Sequence, residues 1–254
     1  MRITSIVLIV VSCSTAFADE PVKVTHPLSA EVRAAMRNRQ EAVLRQNSSE
    51  DGRKLTVGQH SRRGDALFFL GRFKESVQEY EAMVKLDPSL DASHWRLGIA
   101  YFFARTPKQG AAQFDKYHSF DDVDRENGIW RYLCQYHATD AKTAKKELLK
   151  YEKDDREPFP AVYKLFDDSL TPEQALEAIP KDLPTTQREM RLFYTELYIG
   201  MHQVVKKQPE KAAQYLALAT SRKWPQRAGF GPNYMWHVGR VQLEQLLRSA
   251  DRKK

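Results

Sequence analysis

Cysteine is almost missing from this 254-residue chain, which carries two, Cys13 and Cys134. Once export removes or lipidates the first, Cys134 stands alone and no disulfide can form within the chain. Because it follows Leu133 on an apolar helix face, a buried, inert thiol is expected, with a bridge to another chain as the alternative. Long apolar runs are missing too. No stretch of 18 or more apolar residues occurs, so no ordinary membrane-spanning helix is expected. The short motifs of common catalysts are also absent: there is no His-Glu-x-x-His, no Gly-x-Ser-x-Gly, no phosphate-binding Gly-Lys-Ser/Thr loop and no Cys-x-x-Cys. The seven histidines never fall at metal-ligand spacing on one helix face. Asp122-x-Asp124-x-Glu126-Asn127-Gly128 comes near a calcium loop, but its glycine is one place late and no glutamate closes it. It reads instead as an N-cap cluster at a helix start. No catalytic residue, metal or cofactor is expected.

What is present is a theme stated twice, 34 residues apart. Gly64-Asp65-Ala66-Leu67 corresponds to Gly98-Ile99-Ala100-Tyr101, Ser76 to Gly110, Tyr80 to Phe114 and Asp87 to Asp121. A third step reaches Tyr132, Gln135, Ala144 and Leu148, where the first helix has lost its glycine. This period suits a helix-turn-helix unit that buries its apolar face only by stacking on copies of itself. Through Gly64, Leu67, Gly71-Arg72-Phe73, Ser76, Tyr80 and Leu86-Asp87-Pro88, then Trp95, Leu97-Gly98, Tyr101, Gly110 and Phe114, the chain resembles the tetratricopeptide repeat (TPR) family. The resemblance implies an all-α, right-handed superhelical solenoid of helical hairpins closed by a capping C-terminal helix. It also implies a protein that binds other proteins.

The expected layout begins with a signal peptide over 1–18, cut after Ala18. Val10-Val11-Ser12-Cys13 leaves a second reading open, in which Cys13 is lipidated and anchors the chain to a membrane. A leader and N-terminal helix occupy 19–55, with the helix over 30–46. Three TPR-like units fill 56–152, the third degenerate, with helices near 91–104 and 140–152 among them. A shortened hairpin covers 153–184. Residues 185–254 hold a last hairpin, opened by a capping box of Thr186 and Glu189, and the terminal helix from Asn233. The net charge of +7 is spread with both signs interspersed, so nucleic acid is not expected as a partner.

In such a stack the first helix of each hairpin lines a concave groove. The faces turned there are Asp65 and Phe68, then Trp95, Ile99 and Phe102, then Ile129, Leu133 and Tyr136, an aromatic wall suited to gripping a polypeptide. The helix over 30–46 is an alternative occupant of that groove. Trp224, Phe230, Tyr234 and Trp236 form a second aromatic group that either anchors the terminal helix or stacks on a ligand. The layout is similar to the "new lipoprotein I" type of bacterial envelope adaptors. That resemblance implies an exported, periplasmic or lipid-anchored homodimeric scaffold, without catalysis of its own, that brings cell-wall hydrolases to a protease. The alternative is an envelope enzyme or carbohydrate-binding protein on a helical-repeat frame, which would show paired carboxylates about 5 to 10 Å apart at a pocket.

Overall fold

Side-chain caps set the helix starts from the first turn onward. Ser29 Oγ accepts a hydrogen bond from Val32 N and opens α1 (Ala30–Gln46). Thr56 and Gln59 satisfy each other's backbone groups in a capping box that opens α2 (Val57–Phe69). The computed structural model describes residues 24–49, 53–153 and 155–252. Expectations for the signal peptide and for Cys13 lie outside these residues. The chain is all-α, with no strand among the described residues, and its consecutive helices pack as neighbours in a TPR-like repeat solenoid.

The hairpin of α2 with α3 (Phe73–Leu86) and that of α4 (Trp95–Phe103) with α5 (Pro107–Phe120) close in the same way. A Cβ on Gly64 would lie 2.3 Å from the Tyr80 ring, and one on Gly98 would lie 2.6 Å from the Phe114 ring. Only glycine lets each ring sit against the opposing backbone. Ser76 Oγ donates to Gly64 O at 2.8 Å. Its counterpart Gly110 makes room for Cys134, whose buried thiol is pushed well above its ordinary range by desolvation. Helix α4 starts at Trp95 rather than near 91, because Pro88–Leu90 forms a 3-10 turn and His94 Nδ1 then accepts from Leu97 N.

The third hairpin joins α6 (Arg125–Ala138) to α7 (Ala141–Lys146), which ends well short of the expected 152. The chain leaves the helix there so that Tyr151 can reach across Gly128, where a Cβ would meet the Tyr151 hydroxyl at 2.4 Å. The Tyr151 hydroxyl donates to Asp124 O and that of Tyr163 to Leu149 O. Two short helices follow, α8 (Phe159–Tyr163) and α9 (Pro172–Glu177), the second opened by the capping box of Thr171 and Gln174. The last hairpin pairs α10 (Thr185–Val205) with α11 (Pro209–Ser221), Gly200 lying under Leu216. The expected Thr186 and Glu189 box does not form. Pro184 occupies the N-cap without a side-chain bond, and Glu189 accepts from Arg222 at 2.7 Å instead.

The terminal helix α12 (Phe230–Asp251) packs on α11 and also reaches back to α2. Tyr234 stacks on Phe68 at 5.2 Å, and its hydroxyl lies 3.2 Å from that of Tyr80. His237 stacks on Phe69 at 3.9 Å. Arg240 Nη2 donates to Phe69 O at 2.6 Å, at the C-terminal end of α2 where exposed carbonyls favour a cation. Thus α12 caps the last hairpin through α11 and also reaches over Phe68 and Phe69 of the first repeat. Helix α1 lies beside α2, has no fully buried residue among those described, and leaves the groove to α12.

Replacing Gly98 by alanine should cost about 1–3 kcal/mol, because the Phe114 ring must move. The matched Gly231→Ala change, with nothing within 4 Å of the new Cβ, should be neutral or slightly stabilising. Urea unfolding of the two variants reads the difference.

Candidate functional site

The eight residues expected on an open wall take three different places. Phe68, Ile99, Phe102, Ile129 and Leu133 are core residues. Phe68 lies beneath Tyr234, while Phe102 meets Trp130 edge-on at 5.6 Å. Asp65 is tied down: its Oδ1 accepts from Arg96 Nη1 at 2.6 Å and from the Tyr80 hydroxyl at 2.7 Å. Burial raises the pKa of its carboxyl, with Arg96 and Tyr80 opposing. Trp95 and Tyr136 are half-buried. An open groove lined by all eight is therefore corrected to a largely closed face, with α12 over Phe68 and beside Trp95, and α6 against Phe102.

What α12 leaves uncovered is a cavity of about 380 Å³. Trp95 and Ile99 of α4, Trp130 of α6, Met190 and Tyr194 of α10, Met235 of α12 and the loop residue Trp224 form its apolar walls. The second aromatic group divides around it. Tyr234 and Trp236 are buried anchors, the latter donating from Nε1 to Thr220 O at 3.0 Å. Trp224 stands at the cavity beside Tyr194, at 6.0 Å between ring centres, and Phe230 remains exposed near Trp95.

One side of the cavity is charged. Asp124, the N-cap of α6, and Glu126 in its first turn both accept from Arg156, Asp124 at 3.1 Å. Asp155 joins them at 3.3 Å from the guanidinium and also accepts from Arg125 N at 2.9 Å. The Tyr198 hydroxyl donates to Glu126 Oε1 and itself accepts from Trp130 Nε1 at 3.0 Å. Glu157 completes the lining, half-exposed and 3.4 Å from Arg191. Desolvation pushes Glu126 up to about 7; Arg156 opposes this, Asp124 adds to it and Tyr198 opposes it. Asp124 is raised by the same loss of water. Burial disfavours the Arg156 charge, but the three carboxylates outweigh it and hold the guanidinium firmly protonated.

The cluster around Asp122, Asp124 and Glu126 was visible in the sequence as a cap, and Asp124 does cap α6. Its place at a cavity depends on residues far along the chain that sequence reasoning did not select: Arg156, Met190, Tyr194 and Met235.

A carboxyl whose pKa is higher folded than unfolded costs stability as it ionises. For Glu126 that cost grows from its ordinary value of 4.5 up to about 7 and is complete above. Glu126→Gln should therefore gain on the wild type by about 2–3 kcal/mol more at pH 8 than at pH 5. Paired urea titrations at the two pH values check this, because the buried histidines titrate equally in both proteins and cancel.

A family model described as a TPR repeat matches residues 64–102, the stretch in which Gly64, Tyr80 and Gly98 set the hairpin contacts. Such repeats serve protein–protein interaction and are generally non-catalytic. In fold and in its best-formed repeat, the chain is similar to a TPR interaction scaffold.

Proposed function

We propose that the chain is an exported scaffold of the cell envelope that holds a segment of another protein in the cavity between α4, α6, α10 and α12, with no catalysis of its own. The observation that carries this is the cavity itself. It is walled by half-buried Trp95, Trp224 and Met190, with the buried Met235 behind them. Aromatic and methionine side chains supply adaptable apolar area for a polypeptide. Export rests on the apolar run at Ile6–Val11 followed by Ala16-Phe17-Ala18.

A second reading has its own support. Asp124 and Glu126 stand beside tryptophans, the residue types that hydrolyse or stack on sugars. Against catalysis, both carboxylates already accept from the same Arg156, and Glu126 also accepts from Tyr198, so neither is poised as a lone acid or base.

Benzoylphenylalanine in place of Met190 or Trp224 should cross-link to peptide in native envelopes, read by mass spectrometry, whereas the same group in place of exposed Leu86 should give a distinct or weaker pattern. Equal patterns from the two places, or cross-links to glycan strands, would sink the scaffold reading. The mature N-terminus is expected at Asp19; a diacylated Cys13 in the same spectra would replace soluble export by anchoring.

A further inference from the structure

The cavity is not electrically neutral, and its imbalance identifies what part of a partner it takes. Of its three lining carboxylates, Glu157 is paired with Arg191 at 3.4 Å, while Asp124 and Glu126 share a single guanidinium with Asp155 behind them. That guanidinium, Arg156, donates through both terminal nitrogens to Asp124, Glu126 and Asp155 and lies 4.4 Å over the Phe159 ring. It offers little to an anionic ligand. The acidic side is thus set in a chain whose overall charge is +7, so it is a local feature and not a reflection of composition. At physiological salt the screening length is about 8 Å, and charges at the mouth outweigh the distant positive surface.

Two further observations point to a ligand. Asn127 is 5% exposed and lines the cavity; its Nδ2 completes no well-formed hydrogen bond among the described residues and leans on the Tyr117 hydroxyl, whose burial-raised pKa it helps to lower. A buried amide donor of this kind calls for an acceptor, and a peptide carbonyl entering the cavity supplies one. Trp95, Trp224 and Tyr194 line the same cavity, and the faces of such rings attract a desolvated cation. Long aliphatic stems pack on apolar walls while their charged heads seek polar partners.

Resting on the scaffold reading of this site, we propose that the cavity receives a lysine or arginine side chain of the partner polypeptide. Its stem lies along Ile99, Met190 and Met235, its charge meets Glu157 and the outer edge of the Asp124 and Glu126 pair, and the neighbouring carbonyl accepts from Asn127 Nδ2. An uncharged apolar side chain would add no charge pairing to these carboxylates, and an acidic one would be repelled.

The test titrates the purified full-length chain with acetyl-Ala-Leu-Xaa-Leu-Ala-amide peptides, in which Xaa is lysine, arginine, norleucine, glutamine or glutamate, followed by tryptophan fluorescence and calorimetry. The lysine and arginine peptides should bind about tenfold tighter than the norleucine peptide, and the glutamate peptide weakest. Glu157→Gln, a change at a half-exposed residue, should weaken the lysine peptide several-fold and leave the norleucine peptide unchanged. Added sodium chloride should erode the same difference. If norleucine or glutamate binds as tightly as lysine, the cation preference is overturned while peptide holding stands. If no peptide binds and chitotetraose does, both fall and the sugar reading replaces them. If Asn127→Leu leaves the lysine peptide's affinity and enthalpy unaltered, the carbonyl contact is wrong and the assigned pose with it.

Discussion

A concave wall of aromatic rings cannot be left facing water, and the seating of α12 against that wall is the interaction on which the rest of the molecule depends. Phe68, Tyr80, Phe102 and Trp130 are turned inward by the repeat itself, and each such side chain is stabilised by roughly 1.5–3 kcal/mol when covered. Tyr234 supplies the cover for Phe68, and its hydroxyl meets Tyr80. Arg240 then fixes the register of the whole seating, because its guanidinium must reach the last carbonyl of α2. Desolvation draws the Arg240 pKa down, and Glu244, at 2.6 Å, works to restore it. A buried cation with two acceptors tolerates little sliding, since a displaced helix would strand both a charge and a carbonyl.

The hairpins were legible because their determinants are local. Gly64 with Tyr80 and Gly98 with Phe114 are pairs sixteen residues apart whose contact follows from helix geometry alone, and the structure places each ring where the missing Cβ would be. The buried state of Cys134 followed from its apolar face in the same way. The course of α12 was not legible. Its inward face, with Tyr234 and Val238, would serve equally to seal a terminal repeat or to fold back into the concave side, and the choice is made by the superhelix's curvature. The candidate groove failed for the same reason: Phe68 and Ile99 do face inward, but whether an inward face meets solvent is a question about the other end of the chain.

The cavity arises where the repeat pattern gives out. Had α7 run for 14 residues as α3 and α5 do, it would have continued past Lys146 to about residue 154. Instead α7 stops at Lys146, Tyr151 closes over Gly128, and the chain returns past the N-terminus of α6. That return brings Asp155 to the amide of Arg125 and places Arg156 between Asp124 and Glu126. The early stop of α7 and the seat that Gly128 gives Tyr151 thus lead into the charged edge formed by Asp124, Glu126, Asp155 and Arg156.

Closure by α12 also changes what kind of recognition the fold can perform. An open groove of this type holds an extended chain through many shallow contacts spread along several helices. With Phe68 covered by Tyr234 and Phe102 packed on Trp130, what remains is a space of about 380 Å³, enough for one large side chain and its adjoining peptide group. Affinity in such a space must come from a single deeply inserted residue, and discrimination from the polar groups fixed around it. Those groups are rigid for structural reasons: Asp124 is committed to capping α6, Glu126 to Tyr198, and Arg156 to both. The same contacts that keep the degenerate repeat folded therefore hold its carboxylates in place before any partner arrives, so little ordering is left for binding to accomplish.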